Sequence, residues 1–341
     1  MANEDYPADR THIEWAKKMT TWRHADAKLT SAEVVAPDNL IQIAELSEPI
    51  GYAEPRQKAD TLIPIYETTR YNIGSLSEIY YLQTGRLLYP AIGACTTVED
   101  SPSAGYHTHT ITKRTSQTPL NMGRHLEREN ETDAESERID ILGMLLTSYH
   151  AECSQTRTRA FQTADWRVAF TKNTSTDDIT KPTELAAHPF EWDQLSFPVF
   201  TYNSETIEAT IMAWAFDVQN EVGWRGLDST HYYSIGKMFN YTDISVSLMI
   251  IPKGKNAFEL IRTNKESYAT DLDLTWKFTR NATNDYVQVA HDKMYIEPFS
   301  IKPGHKLGWH EGYLITLHQD GSGSITGTII DNLNNDYYEN P

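Results

Sequence analysis

Cysteine is nearly absent: Cys95 and Cys153 are the only two in 341 residues. That excludes a disulfide framework and every four-cysteine zinc site. Positive charge is short as well. Lys and Arg total 30 against 47 Asp and Glu, a formal charge of 30 − 47 = −17. A broad basic grip on nucleic acid is not available with that balance, although a surface past which nucleic acid slides without adhering is compatible with it. Long apolar runs are missing too. The strongest, Ile211-Met212-Ala213-Trp214-Ala215-Phe216, is far short of a membrane span. The first residues, Met1-Ala2-Asn3-Glu4-Asp5-Tyr6, lack the basic and apolar regions of a signal peptide. The expectation is a chain made and kept in a cytoplasm. The Asn-x-Ser/Thr sequences at Asn130, Asn173, Asn240 and Asn281 then carry no glycosylation argument.

What the chain does have is aromatic side chains, 11% of the total with 19 Tyr and 8 Trp, which favours strands over long helices. Residues 1–60 read as an N-terminal arm or loosely packed entry segment, whose helix either packs on its own domain or reaches a neighbouring subunit. Within it Thr11-His12-Ile13-Glu14 has the form of a capping box, and Trp15, Met19 and Trp22 follow at helical spacing. Residues 61–172 read as a first β module, with a short helix around Pro90 and strands over His107 to Thr112 and Leu120 to Leu126. The polar run 127–138 reads as an exposed loop. Residues 173–205, with Pro182, Pro189 and Pro198, read as a linker. Residues 206–333 read as a second β module and 334–341 as a tail. In this module Ala257 to Arg262 is a short helix, and Leu272, Leu274, Trp276 and Phe278 alternate onto one strand face. The Asp320-Gly321 turn predicts a hairpin between Tyr313 to Leu317 and Ile325 to Ile330. The two modules share a coarse order of elements, which suggests a duplication in which Leu120 to Leu126 corresponds to Leu272 to Phe278.

No reaction finds support. His107 and His109 share a strand face and, with His125 or His150, have the residue types for zinc, but no Cys or carboxylate sits at a recurrent ligand spacing. Cys153 beside His150 is commoner as a buried thiol than as a nucleophile. G-x-S-x-G is missing, and Gly321-Ser322-Gly323-Ser324 reads as a turn. Pro252-Lys253-Gly254-Lys255 lacks the glycines and the Ser/Thr of a phosphate loop. Asp331 to Asp336 resembles a calcium loop by composition alone, with Leu333 at a ligand position. Asp271 and Asp273 read as a solvated strand face. The expectation is a non-enzyme with no catalytic, cofactor-binding or metal-binding residues, and so no cofactor.

The order of elements resembles the tail tube proteins, or major tail proteins, of long-tailed, siphovirus-like bacterial and archaeal viruses. Tyr66 to Leu76 followed by Leu87 to Gly93 is similar to that family's extended strand and small helix ending near Gly. Thr118 to Leu126, then Ile139 to Gly143, is similar to its central strand, loop and Gly-containing strand. Ala257 to Arg262 is similar to its helix, and Tyr313 to Ile330 to its closing hairpin. The likeness is one of elements over about residues 60–335, not of invariant residues. It implies a mainly β fold of two tandem tube-like sandwich or barrel modules, each with one short helix, plus arms and long loops. It implies a virion structural subunit that forms rings stacked into a conduit for genome delivery. A trimer in pseudo-sixfold order is favoured over a hexamer, for a ring charge of 3 × −17 = −51 or 6 × −17 = −102. The implied partners are the chain itself, a tape-measure protein, a tail terminator, baseplate or tip proteins, and double-stranded viral DNA passing without specific binding, with no membrane. The implied place is the virion tail, assembled in the host cytoplasm. The other reading is a β-sandwich adhesin or carbohydrate-binding virion protein, with Tyr and Trp stacking on sugars.

Overall fold

The computed structural model describes residues 11–16, 29–30, 34–47, 51–56, 65–71, 74–114, 122–128, 137–174, 182–225, 235–263, 269–296, 302–307 and 310–333. Over these the chain is mainly β, as the aromatic content and alternation predict. The strands in chain order begin with β1 (Thr11–Ala16), β2 (Val34–Val35), β3 (Leu40–Ser47), β4 (Gly51–Arg56), β5 (Ile65–Tyr71) and β6 (Gly74–Tyr81). Helix α1 (Leu88–Ile92) leads to β7 (Gly93–Val98), β8 (His107–Lys113), β9 (Met122–Arg128), β10 (Glu137–Ser154) and β11 (Phe161–Thr174). Then come β12 (Leu195–Tyr202), β13 (Glu205–Thr206), β14 (Ala209–Arg225), β15 (Ile235–Pro252) and helix α2 (Lys255–Thr263). The chain continues with β16 (Ala269–Asn281), β17 (Asp285–Ile296), β18 (Lys302–Leu307), β19 (His310–Gln319) and β20 (Ile325–Asp331).

The pairings, all antiparallel, build two layers. The larger sheet runs β3-β6-β11-β10-β14-β15-β19-β18. The first half of β10 carries β9, β1 and β2 as a side branch. The smaller sheet runs β13-β12-β16-β17-β20-β8-β7. One corner joins them, where Met294 and Tyr295 of β17 pair with Gln319 and His318 of β19. Among the described residues no path of pairings returns to its start, so the layers form an open sandwich and not a closed barrel. β4 and β5 make a separate ribbon.

The core lies between the layers because each strand alternates. From the larger sheet come Trp214, Phe216, Val246, Leu248, Ile315 and Leu317; from the smaller, Leu274, Trp276, Phe278, Val287, Val289 and Ile329. Trp214 meets Phe278 at 5.2 Å between ring centroids, and Phe216 meets Trp276 at 5.3 Å. Helix α1 is wholly buried as a plug, although its five residues include Pro90. Proline is tolerated in a first turn, where its missing N–H has no intrahelical partner to lose.

Several sequence expectations change. Thr11 to Ala16 is a strand, not a capped helix, because β9 and β2 flank it and bury Trp15; Met19 and Trp22 lie outside the described residues. Thr11–Ala16, Val34–Val35 and Leu40–Ser47 of the expected arm are thus built into the sheet. The loop expected over 127–138 is narrower, since Glu127 pairs with Arg138 and Arg128 with Glu137; residues 129–136 lie outside the described set. The expected linker 173–205 contains β12 and supplies Phe190 and Phe200 to the core. Asp320-Gly321 turns between the two sheets and closes no hairpin: β19 and β20 each pair with β17. The two halves do not stand as tandem modules. β10 pairs with β14, β8 pairs with β20, and one apolar core takes residues from Trp15 to Ile329. Nor do the supposed duplicates correspond, since β9 branches from the larger sheet while β16 is interior to the smaller.

Candidate functional site

The larger sheet's outer face is mostly polar, with an apolar patch of Ile79, Tyr81 and Phe161 toward β3. Antiparallel partners point to the same side, so the registers can be read straight across the strands. One row is Glu45, Ser77, Asp165, Ser148, Gln219 and Asp243, from β3, β6, β11, β10, β14 and β15. The next is Ile79, Thr163, His150, Asp217, Ser245 and His318, ending on β19. The third is Tyr81, Phe161, Glu152, Ala215, Ser247 and Thr316. From β10 to β19 small side chains alternate with carboxylates, imidazoles and hydroxyls, whereas Ile79, Tyr81 and Phe161 stand on β6 and β11.

These groups bind one another across strands. Ser77 Oγ donates to Asp165 Oδ1 at 2.6 Å, Ser75 Oγ to Glu45 Oε1 at 2.9 Å, and Gln219 Nε2 to Ser148 Oγ at 2.9 Å. His150 Nδ1 lies 2.7 Å from Asp217 Oδ1, and its Nε2 lies 3.5 Å from Glu152 Oε2. Arg157 Nη1 reaches Glu152 Oε1 at 3.0 Å. At the far corner His318 Nδ1 lies 3.3 Å from Asp243 Oδ1 and stacks on Tyr295 at 5.5 Å. The hydrogen bond to Asp217 raises the His150 pKa above 6.5; the charges of Asp217 and Glu152 add to it and partial burial opposes it. Carboxylates outnumber the guanidiniums on this face, where the described ones are Arg157, Arg159 and Arg167, beside the two imidazoles.

The smaller sheet's outer face is different in chemistry. Its rows are Thr275, Ala290, Thr326, Thr112 and Ala94, then Lys277, Gln288, Thr328, Thr110 and Thr96. Lys277 is the cation of these two rows and rests its Nζ over the Tyr286 ring at 3.6 Å. The sandwich therefore has one acidic, imidazole-bearing face and one neutral, threonine-rich face.

The residues singled out in the sequence do not converge. His107 and His109 share a face of β8, their rings 6.3 Å apart. His109 has partners within the fold, with Thr97 Oγ1 2.9 Å from Nδ1, and Leu333 O at 3.0 Å and Asp331 Oδ1 at 3.3 Å from Nε2. His150 stands on the other sheet and His125 on β9. Among the described residues no group of three or more His, Cys, Asp or Glu could hold a metal ion. Cys153 faces the core while His150 faces out, and burial pushes its thiol up to about 12. Asp271 is exposed, and Asp273 Oδ1 accepts Lys293 N at 3.1 Å. Asp331 lies beside His109, and its Oδ1 accepts the Leu333 amide at 2.8 Å.

One carboxylate escaped the sequence reading. Asp38, fully buried, accepts the backbone amides of Gln83 and Thr84, the Thr84 hydroxyl and the Gln162 amide. Burial pushes it up to about 6 against the pull of those donors. It ties the segment before β3 to the turn after β6. Nothing local in Pro37-Asp38-Asn39 signals this, because its partners lie 45 to 124 residues away. The polar face had a visible signal: Ser148, His150, Glu152 and Ser154 alternate, as do Ala213, Ala215, Asp217 and Gln219.

The face ends in two open strands. Among the described residues β3 pairs with β6 alone and β18 with β19 alone. Leu40 and Ile41 of β3 are 37% and 46% exposed. Acidic Glu45 lies on this edge strand, and Lys302, His305 and Lys306 lie on the opposite one. No family model matches the chain, and no curated protein matches it in sequence.

Proposed function

We propose that the chain is a structural subunit of a viral tail tube. Copies add edge to edge, β3 of one against β18 of the next, until the ring closes, with the polar face of the larger sheet turned inward. The observation that carries this reading is a largely polar sheet face with many carboxylates that ends, among the described residues, in β3 and β18, each paired along one side only. An unpaired strand is a template for another chain, and a closed ring leaves none exposed. Opposite charge on β3 and β18 favours pairing of unlike edges, a heterologous contact that closes when its rotation divides a circle.

The inner face suits a conduit. Adhesion to DNA is built from Lys and Arg on phosphates, and this face offers chiefly carboxylates and hydroxyls. The strand count favours three copies over six. Eight strands per copy at ~4.8 Å spacing give a wall ~37 Å across for three copies and ~73 Å for six, before any tilt. The smaller lumen is the better match to one duplex, although the shared core removes the idea of two separate modules per chain. The adhesin reading is weaker at this face. Arg157 sits over the Phe161 ring at 4.4 Å and Arg159 over Tyr81 at 5.8 Å, so a sugar does not meet open aromatic faces there.

Electron microscopy of the purified full-length chain across concentration and salt tests the proposal. Hollow rings or tubes with threefold symmetry are expected. Compact particles that never associate, even when incubated with preformed tail tips, would overturn it.

A further inference from the structure

The core-facing alternation of the smaller sheet turns polar at one end. Two residues past Phe278 stands Arg280, two before Val287 stands Asp285, and two past Ile329 stands Asp331. The registers bring these strand ends together, with Asn281 opposite Asp285 and Asp331 opposite His107. Residues 182–190 cross the same end. Gln83 Nε2 donates to Ala187 O and Arg280 Nη1 to His188 O, and Phe190 anchors the segment in the core with its ring 4.0 Å from the Arg280 guanidinium.

Between that segment and the strand ends lies a pocket of about 570 Å³, a size that suits a small molecule. Its charged groups are already matched. Arg280 Nε and Nη2 each donate to Asp285 at 2.9 Å, and Nη2 also reaches Gln83 O at 2.9 Å. Asp331 accepts the Leu333 amide and faces His109. The neutral groups are not matched. Among the described residues, nothing engages the side chains of Tyr106, Thr183, Asn284 and Asn332, all of which line the pocket. Asn284 Oδ1 is buried with no hydrogen-bond partner, and so is His107 Nδ1 beside the Asp331 strand end. A buried acceptor without a donor is unfavourable and rare in a folded protein.

We propose that this pocket binds a neutral sugar residue. Carboxamides and hydroxyls both donate and accept, as the hydroxyls of a sugar do, and the pocket offers them from Asn284, Asn332, Thr183 and Tyr106. A sugar hydroxyl gives Asn284 Oδ1 the donor it lacks. The Tyr106 ring offers its electron-rich face to the C–H side of a pyranose. Asp285, Asp331 and Glu184 in the lining disfavour an anion. The closed Arg280–Asp285 pair leaves that carboxylate no charge to give a cation. The site stands apart from the ring contact: none of its residues belongs to β3, to β18 or to the rows of the inward-turned face. A subunit of the tube wall would then hold sugars as well as enclose the duplex, and the pocket does not depend on the tube reading.

Saturation-transfer NMR and calorimetry on the full-length chain test this, with free glucose, galactose, mannose and N-acetylglucosamine as neutral probes. Glucose 6-phosphate is the anionic probe, and glucosamine and spermidine are the cationic ones. At least one neutral sugar is expected to bind with a Kd on the order of 1 mM, as suits a ligand of its size. Glucose 6-phosphate is expected to bind about tenfold more weakly or not at all. Asn284→Ala and Tyr106→Ala should each weaken the sugar about tenfold. The melting temperature of Asn284→Ala without sugar should be unchanged or higher, because the substitution removes an unmet acceptor. A merely structural asparagine would lower it. Binding that survives both substitutions lies elsewhere and would overturn the assignment. So would tighter binding of spermidine or glucosamine than of every neutral sugar, or no neutral sugar bound at all, which would leave the pocket to water. Ring or tube formation by the same preparation is scored separately, so the pocket and the tube reading stand or fall apart.

Discussion

His150 and Asp217, 67 residues apart in sequence, are locked at 2.7 Å in the middle of the polar face, on neighbouring strands. The contact makes the imidazole harder to deprotonate: the hydrogen bond to Asp217 raises its pKa above 6.5, with Glu152 adding to the effect. A group with a raised folded pKa contributes stability that is complete below its unfolded value and is lost as pH rises through its folded value. His150→Asn should therefore reduce the melting temperature more at pH 6 than at pH 9. A titration of the His150 ring protons by NMR that gives a value at or below 6.5 would contradict this.

His291 behaves in the opposite sense. It lies in the core against Phe216 at 5.8 Å, with Nδ1 3.0 Å from Gln319 Oε1 and Nε2 buried with no hydrogen-bond partner. Gln319 Oε1 accepts a hydrogen bond, which places the proton on Nδ1. Burial pushes the pKa down to about 4. The unfolded chain takes up the proton near 6.5 and the native protein only near 4, so acidification through that window destabilises the fold. His291→Leu should flatten the loss of melting temperature between pH 6.5 and pH 4.5. An equally steep loss in the variant would show that other groups set the acid limit.

Asp38 is predicted to be a structural hinge pin. Asp38→Ala leaves the donors from Gln83, Thr84 and Gln162 without their acceptor. Buried orphaned polar groups are worth about 1–3 kcal/mol each where water cannot replace the partner. A loss of about 3 kcal/mol in urea unfolding is expected, since the cavity left by the carboxylate admits some water. Asp271→Asn is the control. Asp271 is exposed at φ 60°, a conformation Asn accepts well, and its loss should stay within about 0.5 kcal/mol.

The sequence disclosed what depends on near neighbours. Leu272, Leu274, Trp276 and Phe278 alternate in four successive pairs, and all are buried on one face of β16. Helix α2 and the short helix at Pro90 were likewise legible. What failed was decided at a distance. Thr11 to Trp15 carries helix-start chemistry, yet β9 captures it as a strand from more than a hundred residues away. The Asp320-Gly321 turn forms as its composition demands, with Asp320 Oδ1 accepting Ser322 N at 2.7 Å. The identity of the strands beside β19 and β20 is a separate matter, settled by β15, β17 and β8. The alternation that makes the polar face could be read strand by strand. Its rows could not, because they depend on registers between strands from both halves of the chain.

The last prediction concerns those two halves. Trp214 of the larger sheet and Trp276 of the smaller cross edge to face at 4.9 Å, both almost fully buried. With β10 against β14 and β8 against β20, the residues before 173 and after 205 stabilise each other through backbone ladders and through one core. Unfolding in urea should then be a single transition, with tryptophan fluorescence and far-ultraviolet circular dichroism coinciding. Trp276→Ala should shift the whole transition by about 3–5 kcal/mol, not one limb of it. A fragment of residues 206–333 should fail to fold, because it carries β14, β16 and β20 without the strands of β10, β12 and β8 that pair with them. A folded, cooperative fragment would mean that the second half is a module in its own right, and that the shared core joins two folded units instead of making one.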